Sequence, residues 1–253
     1  MNPREPTPPL RAVLIGASGR MGRAILSTAA QFPTLCFVGA IASPHSAALG
    51  SDSGVVAGGA PNYLAVTGSL EALLPRAQVV IDFSAASATQ GNLRACRLAL
   101  KPLLIGTTGF PSGLESEFAA AAREIPLLIA PNTSPGVTLL TELTRIAARA
   151  LPGFTAGITE THHREKRDAP SGTALSLAAA IGVETPIASV REGEVIGEHT
   201  VRFAGPGEEL VLTHRALARD IFARGALTAA LWLSSQPAGR YQMRDVMGFK
   251  TVT

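Results

Sequence analysis

The chain reads as an α/β protein: a Rossmann-like parallel-sheet nucleotide domain, then a second α+β domain with a mixed, largely antiparallel sheet. Three observations predict this. Short apolar runs alternate with amphipathic ones through the first half, the signature of parallel βαβ units. A glycine-spaced turn, Gly16-Ala17-Ser18-Gly19-Arg20-Met21-Gly22, sits directly behind the first apolar run. Between 186 and 233 polar and apolar residues alternate in β fashion, with Ala204-Gly205-Pro206-Gly207 as a hairpin turn.

The first strand is expected over Leu10–Ile15, and further strands over 36–42, 79–83, 103–105 and 127–129. Helices are expected over 21–32, 69–74, 86–100 and 111–123. Strand, tight turn and helix in succession are what a chain needs to lay a pyrophosphate on backbone N–H groups. The spacing here is GxxGxxG, so a plain strand-to-helix loop is the competing reading. Small polar residues recur at the strand ends: Gly16, Asp82-Phe83-Ser84, Gly106-Thr107-Thr108-Gly109 and Ala130-Pro131-Asn132. One of these could be a helix cap, since Ser84 precedes a helix. Four along one sheet edge are better explained as a ligand crevice.

After Asn132 the pattern changes. A helix over 137–151 leads to a β-run over 155–161, a basic cluster, and a helix of small residues over 173–181. The expected division is therefore 1–132 for the nucleotide domain and 133–237 for the second. A sheet with an open face needs cover, and self-association is a common way to supply it.

Composition sets limits on function. The chain has 253 residues, 46% hydrophobic and 16% charged, enough for a substantial core. No apolar run reaches the roughly 18 residues that span a bilayer. The opening MNPREPTPP resembles a loose tail and not a signal peptide, so a cytoplasmic location is expected. A net charge of +3, without a long basic run interleaved with aromatics, argues against nucleic acid. Cys36 and Cys96 lie in apolar segments and read as core residues; they make neither a disulfide framework nor a metal set.

Chemistry concentrates between Glu160 and Ala174. If the chain turns helically after the strand, His162 and Lys166 share a face, with His163 three residues from Lys166. Histidine and lysine can each deliver a proton, and both favour an anionic ligand. Ser171 can cap a new helix whose N–H groups at Gly172, Thr173 and Ala174 form a second anion site. Two such features point to a substrate with more than one carboxylate. The bland alternative is a solvated charged loop ahead of a capped helix. Asp168 orders the loop or pairs with a local cation, and Arg164 and Arg167 are surface charges or contributors to the field. His45 lies near where an adenine ribose would sit, whereas His199, His214 and Trp232 read as structural.

Together these segments resemble the 4-hydroxy-tetrahydrodipicolinate reductase (dihydrodipicolinate reductase) family of lysine and diaminopimelate biosynthesis. The likeness runs from Leu10 to the C-terminus. It rests on the glycine turn, Asp82-Phe83-Ser84, Gly106 to Gly109, Ala130 to Ser134 and above all Glu160 to Ala174. Gly197-Glu198-His199, Phe203, His214-Arg215-Ala216 and Met243 to Val246 agree as well. The resemblance implies an NAD(P)H-dependent oxidoreductase acting on a cyclic dicarboxylate. Gly16, Ala17, Ser18, Gly19, Arg20 and Met21 would lie under the cofactor. Gly106, Thr107, Thr108, Ala130, Pro131, Asn132 and Thr133 would close around its nicotinamide end. His162 and Lys166 correspond to the proton-donor pair, and His163, Ser171, Gly172 and Thr173 to the carboxylate holders. The family pattern also implies a homotetramer and a last stretch, 238–253, that returns to the nucleotide domain.

One departure bears on the cofactor. Where the family often carries an acidic residue followed by arginine, this chain has Ala42-Ser43-Pro44-His45. An acidic residue would repel a 2′-phosphate, so its absence favours NADPH over NADH, with Arg20, Ser43 and His45 as contacts. Two other readings remain: an amino-acid dehydrogenase of similar architecture, and a non-catalytic NAD(P)-sensing protein.

Overall fold

A computed structural model describes residues 8–110 and 113–249. Expectations for the tail over 1–7, for 111–112 at the start of a helix, and for 250–253 lie outside the described residues. In chain order the strands are β1 (Leu10–Ile15), β2 (Leu35–Ile41), β3 (Val66–Thr67), β4 (Val79–Asp82), β5 (Leu103–Ile105), β6 (Pro126–Ile129), β7 (Thr155–His162), β8 (Ile187–Arg191), β9 (Glu198–Gly205), β10 (Glu208–Arg215) and β11 (Gly239–Tyr241). The α-helices are α1 (Arg20–Thr28), α2 (Ser53–Val56), α3 (Thr89–Leu98), α4 (Leu114–Ala121), α5 (Pro135–Ala150), α6 (Gly172–Ile181), α7 (Asp220–Leu233) and α8 (Met243–Val246).

The described residues form two compact units, 8–133 with Phe222–Val246, and Ser134–Ile221 with 247–249. The first is built on a seven-stranded sheet in the order β11-β6-β5-β4-β1-β2-β3, with every pairing parallel. Successive side chains of a strand point to opposite faces, and both faces here are covered. Ala12 and Leu14 of β1 pack with Ile25 and Leu26 of α1, while Val13 and Ile15 join Leu93, Cys96 and Phe118 on the other side. Strand order reverses beside β1, which is flanked by β2 and β4. In such sheets ligands gather in the crevice at that reversal, beyond the carboxyl ends of the strands.

In the second unit a four-stranded sheet runs β10-β9-β7-β8. Its β7–β8 pair is parallel, and its β7–β9 and β9–β10 pairs are antiparallel. Leu140 and Ala147 of α5 and Ala174 and Leu177 of α6 bury Ile158, Val201 and Phe203. Gly207, with φ of +79°, follows Pro206 in the tight turn between β9 and β10.

Several expectations need correction. The β pattern expected over 186–233 stops at Arg215, and Asp220–Leu233 is helical. Ala223, Ala226, Leu227, Ala230 and Leu233 recur at helical spacing and are buried in the core of the first unit. Alanine and leucine are the strongest helix formers, and this stripe matches a period of 3.6. The return to the first unit therefore spans Phe222–Val246, starting ahead of 238, and residues 247–249 group with the second unit. The helix expected over 69–74 is a turn that tightens into a 3₁₀ segment at Leu74–Arg76. Leu70 and Leu74 are buried there, and Pro75 has no N–H to continue a helix. α2 and β3 went unforeseen; Asp52 caps α2 by accepting from Gly54 N and Val55 N, a local signal too short to carry periodicity.

Candidate active site

In the first unit the turn after β1 is shaped by close backbone contacts. Gly16 has φ of +86°, and a Cβ there would meet Phe83 O at 2.4 Å. A Cβ on Gly22 would come within 2.1 Å of Gly16 O and 2.7 Å of Ala17 Cα. Glycine at both positions lets the helix start against its own turn. The N–H groups of Gly16 and Ala17 donate to Ile41 O at 2.9 and 2.8 Å, so these residues tie the turn to the end of β2. Arg20, Met21 and Gly22 form the first turn of α1, where helix geometry leaves N–H groups without intrahelical acceptors. A cradle of this form, with a positive dipole end, fits a pyrophosphate.

The neighbouring strand ends are organised by a buried carboxylate. Asp82, fully buried, accepts from Ser84 N at 2.8 Å and from Asn92 Nδ2 at 2.9 Å. Thr107 Oγ1 turns inward to the carbonyls of Asp82 and Ser84 at 3.5 and 3.3 Å. Thr133 Oγ1 donates to Phe222 O at 2.7 Å. Those two hydroxyls brace the loops. Thr108, Pro131, Ser43 and His45 are exposed and Gly106 and Asn132 half-buried, while Ala130 is buried. Ser46 Oγ lies 3.3 Å from Ser18 Oγ, linking the loop after β2 to the glycine turn.

In the second unit Glu160 and His162 lie two residues apart on β7, and therefore on one face of the strand. Glu160 is fully buried and His162 nearly so. His162 Nδ1 pairs with Glu160 Oε2. Glu160 Oε1 accepts from Arg191 Nη2 at 2.8 Å and from Ser171 N at 3.3 Å. Burial pushes the Glu160 carboxyl upward, but hydrogen bonds from Arg191, Ser189 and His162 outweigh it and hold its pKa at about 2. For His162, burial lowers the pKa below the usual 6.5; Glu160 works against that, and Lys166 and Arg191 add to it.

The helical turn expected after His162 is absent. β7 ends at His162, and the chain makes a turn closed by Lys166 N to His163 O at 3.1 Å. The reason is backbone demand: His162 O accepts from Glu192 N at 2.8 Å, and Arg164 N bonds Gly193 O at 3.3 Å, so this segment remains tied to the end of β8. Lys166 Nζ instead pairs with the Asp168 carboxylate at 2.8 and 2.9 Å, and that ammonium holds the Asp168 carboxyl below its ordinary pKa. Ser171 caps α6, its Oγ accepting from Ala174 N at 3.2 Å. Ala174 N, expected to serve an anion, is thus engaged by the cap.

His199, read as structural, belongs to this cluster. Its Nε2 lies 3.2 Å from Ser171 Oγ, and its ring meets that of His162 edge to face at 5.1 Å. Burial, reinforced by His162, depresses its pKa to about 4. Glu160, Arg191 and His199 were missed as functional partners. The two-residue spacing of Glu160 and His162 was the available signal for one of them; Arg191 and His199 arrive only through strand pairing. Glu160, His162 and His199 bring ligand-type atoms within 4.8 Å of one another. Both Glu160 oxygens are already hydrogen-bonded, however, and the Arg191 guanidinium opposes a cation there.

A parallel sheet with a phosphate-type turn, followed in the chain by a unit that carries a buried, hydrogen-bonded histidine and glutamate, has the form of a Rossmann-type oxidoreductase. The family model described as "Dihydrodipicolinate reductase, N-terminus" matches residues 10–133, and its C-terminal counterpart matches 136–247. A 4-hydroxy-tetrahydrodipicolinate reductase of Thiobacillus denitrificans is 42% identical over 266 residues, covering 95% of this chain and 99% of the relative. One from Xanthomonas campestris pv. campestris is 44% identical over 246 residues, covering 95% and 99%. The solved dipicolinate-bound dihydrodipicolinate reductase of Paenisporosarcina sp. TG-14 shares the fold, with a TM-score of 0.77 at 23% identity over 92% of this chain and 97% of that one. The chain belongs to the dihydrodipicolinate reductase family.

Proposed function

We propose that this protein reduces 4-hydroxy-tetrahydrodipicolinate to tetrahydrodipicolinate with NAD(P)H, in lysine and diaminopimelate biosynthesis. The observation that carries the proposal is the Glu160–His162 pair standing beside Lys166 and the Ser171-capped start of α6. Residues 16–21 would hold the dinucleotide, with Gly106 to Thr108 and Ala130 to Thr133 at its nicotinamide end; when bound, it supplies a hydride. The first unit is thus the nucleotide-binding domain and the second the substrate-binding and oligomerisation domain.

His162 and Lys166 deliver the proton. Glu160 holds Nδ1 of His162, so the proton given up leaves from Nε2. His163, Ser171, Gly172 and Thr173 receive the substrate carboxylates, where a helix start and cationic side chains favour negative charge. NADPH is the preferred cofactor. Ser43 and His45 stand exposed after β2 with no carboxylate between 42 and 45 to repel a 2′-phosphate.

The working form is a homotetramer. Val190 and Val211 are exposed on the sheet of the second unit, a face that association would cover. Among the described residues no helix is long and apolar enough to cross a membrane, in keeping with a cytoplasmic location. The decisive experiment follows nicotinamide absorbance with enzymatically generated substrate. Substrate-dependent oxidation of NADPH is expected; none above the blank overturns the proposal.

A further inference from the structure

Arg191 ends β8 and pairs in parallel register with His162. Its guanidinium is mostly buried and reaches two separate pieces of the cluster. Toward β7, Nη2 donates to Glu160 Oε1 at 2.8 Å, and the other Glu160 oxygen pairs with His162 Nδ1. Toward the loop, Nη2 also donates to Asp168 O at 2.6 Å and Nε to Lys166 O at 3.3 Å. One planar, permanently charged fork thus touches both the carboxylate behind the histidine and the backbone that carries the lysine.

We propose that Arg191, acting partly through Glu160, is a positioning residue that sets His162 and Lys166 for proton delivery. This rests on the reductase reading given above. An ionised carboxylate only accepts hydrogen bonds, so Glu160 keeps a proton on Nδ1 of His162. The imidazolium then loses its Nε2 proton to the substrate, and the neutral Nδ1–H tautomer stays paired with Glu160. Gly197 leaves room at that atom, since a Cβ there would lie 3.1 Å from His162 Nε2. The charged and titratable groups around His162 are Glu160 on its own strand, Lys166 and Asp168 on the loop, Arg191 on β8 and His199 on β9, with His214 on β10 behind His199. Glu160 favours the imidazolium, while Arg191 and Lys166 oppose it. Arg191 therefore orients the pair and also restrains the proton affinity of the donor.

The test uses the full chain with R191K, R191Q and E160Q. Lysine keeps the charge but cannot span Glu160 and two carbonyls. Turnover of the Arg191 variants should fall roughly tenfold to a hundredfold, as for loss of an outer partner of an active group. The Kd for NADPH should stay within about twofold, because the chemical step is affected and nucleotide binding is not. Histidine NMR titration should show the His162 pKa rising in R191Q and falling in E160Q. R191K and E160Q carry the test if R191Q does not fold. Wild-type turnover in R191K, or lost turnover without displacement of the His162 pKa in E160Q, overturns the proposal. A wild-type protein inactive on the substrate overturns the reductase reading instead, while the opposed imidazole shifts still report the positioning.

Discussion

Glu160 and His162 occupy one face of β7, where both are buried and the carboxylate of the first holds the imidazole Nδ1 of the second. A histidine fixed in this way presents a single nitrogen for proton transfer. Lys166, on the loop that follows, pairs with the Asp168 carboxylate.

Replacing either donor should damage chemistry more than binding. His162→Ala and Lys166→Ala are each expected to lower kcat by about 10²- to 10⁴-fold, the range for a positioned general acid. The NADPH dissociation constant, measured by fluorescence titration, should change little. Normal turnover in both variants would show that the proton comes from elsewhere.

Gly22→Ala should disable the nucleotide turn, because the added Cβ would collide with Gly16 O and Ala17 Cα, backbone atoms that have nowhere to go. Overpacking of this kind costs about 1–3 kcal/mol. A lowered melting temperature together with weakened NADPH binding is the expected pair of results, and an unaltered affinity would contradict it.

Ser43, exposed after β2, is the position at which the proposed NADPH preference can be tested. Ser43→Glu places a carboxylate after β2, where it repels a 2′-phosphate and can accept from ribose hydroxyls. The ratio of kcat/KM for NADPH to that for NADH should drop. An unchanged ratio would rule out Ser43 as part of the ribose pocket.

Stability should fall on acidification. His199 is held near a pKa of about 4 and Glu160 near about 2, both below their unfolded values of 6.5 and 4.5. The unfolded chain therefore binds more protons than the folded one. For His199 the contribution is complete above pH 6.5 and is lost as pH falls toward 4. Glu160 follows at lower pH, its contribution lost between about 4.5 and 2. Urea unfolding at pH 7 and pH 4.5 should differ by up to roughly 3 kcal/mol from buried His199. His199→Leu should flatten that part of the curve; a slope equal to wild type would refute the assignment.

Much of this molecule was readable from residue order alone. The five apolar runs of the first half form strands, and the glycine turn stands between β1 and α1 as its spacing required. These features are local: a strand buried on both faces is a short continuous apolar run, and a tight turn demands glycine at named positions. The start of α6 was likewise evident, because Ser171 ahead of a run of small residues marks a helix cap by residue type. The helix over Asp220–Leu233 was misread, although its alanine stripe has a helical period.

Tertiary structure alone decided which groups act on one another. Arg191 meets Glu160 across 31 positions of sequence and His199 meets Ser171 across 28, contacts created by strand register and helix docking. It also replaced the expected helical face of His162 and Lys166 with a strand end and a turn, since the backbone there bonds to the end of β8. Residue type sets what chemistry a side chain can perform; strand pairing and burial set its partners and its pKa, and those depend on residues far along the chain.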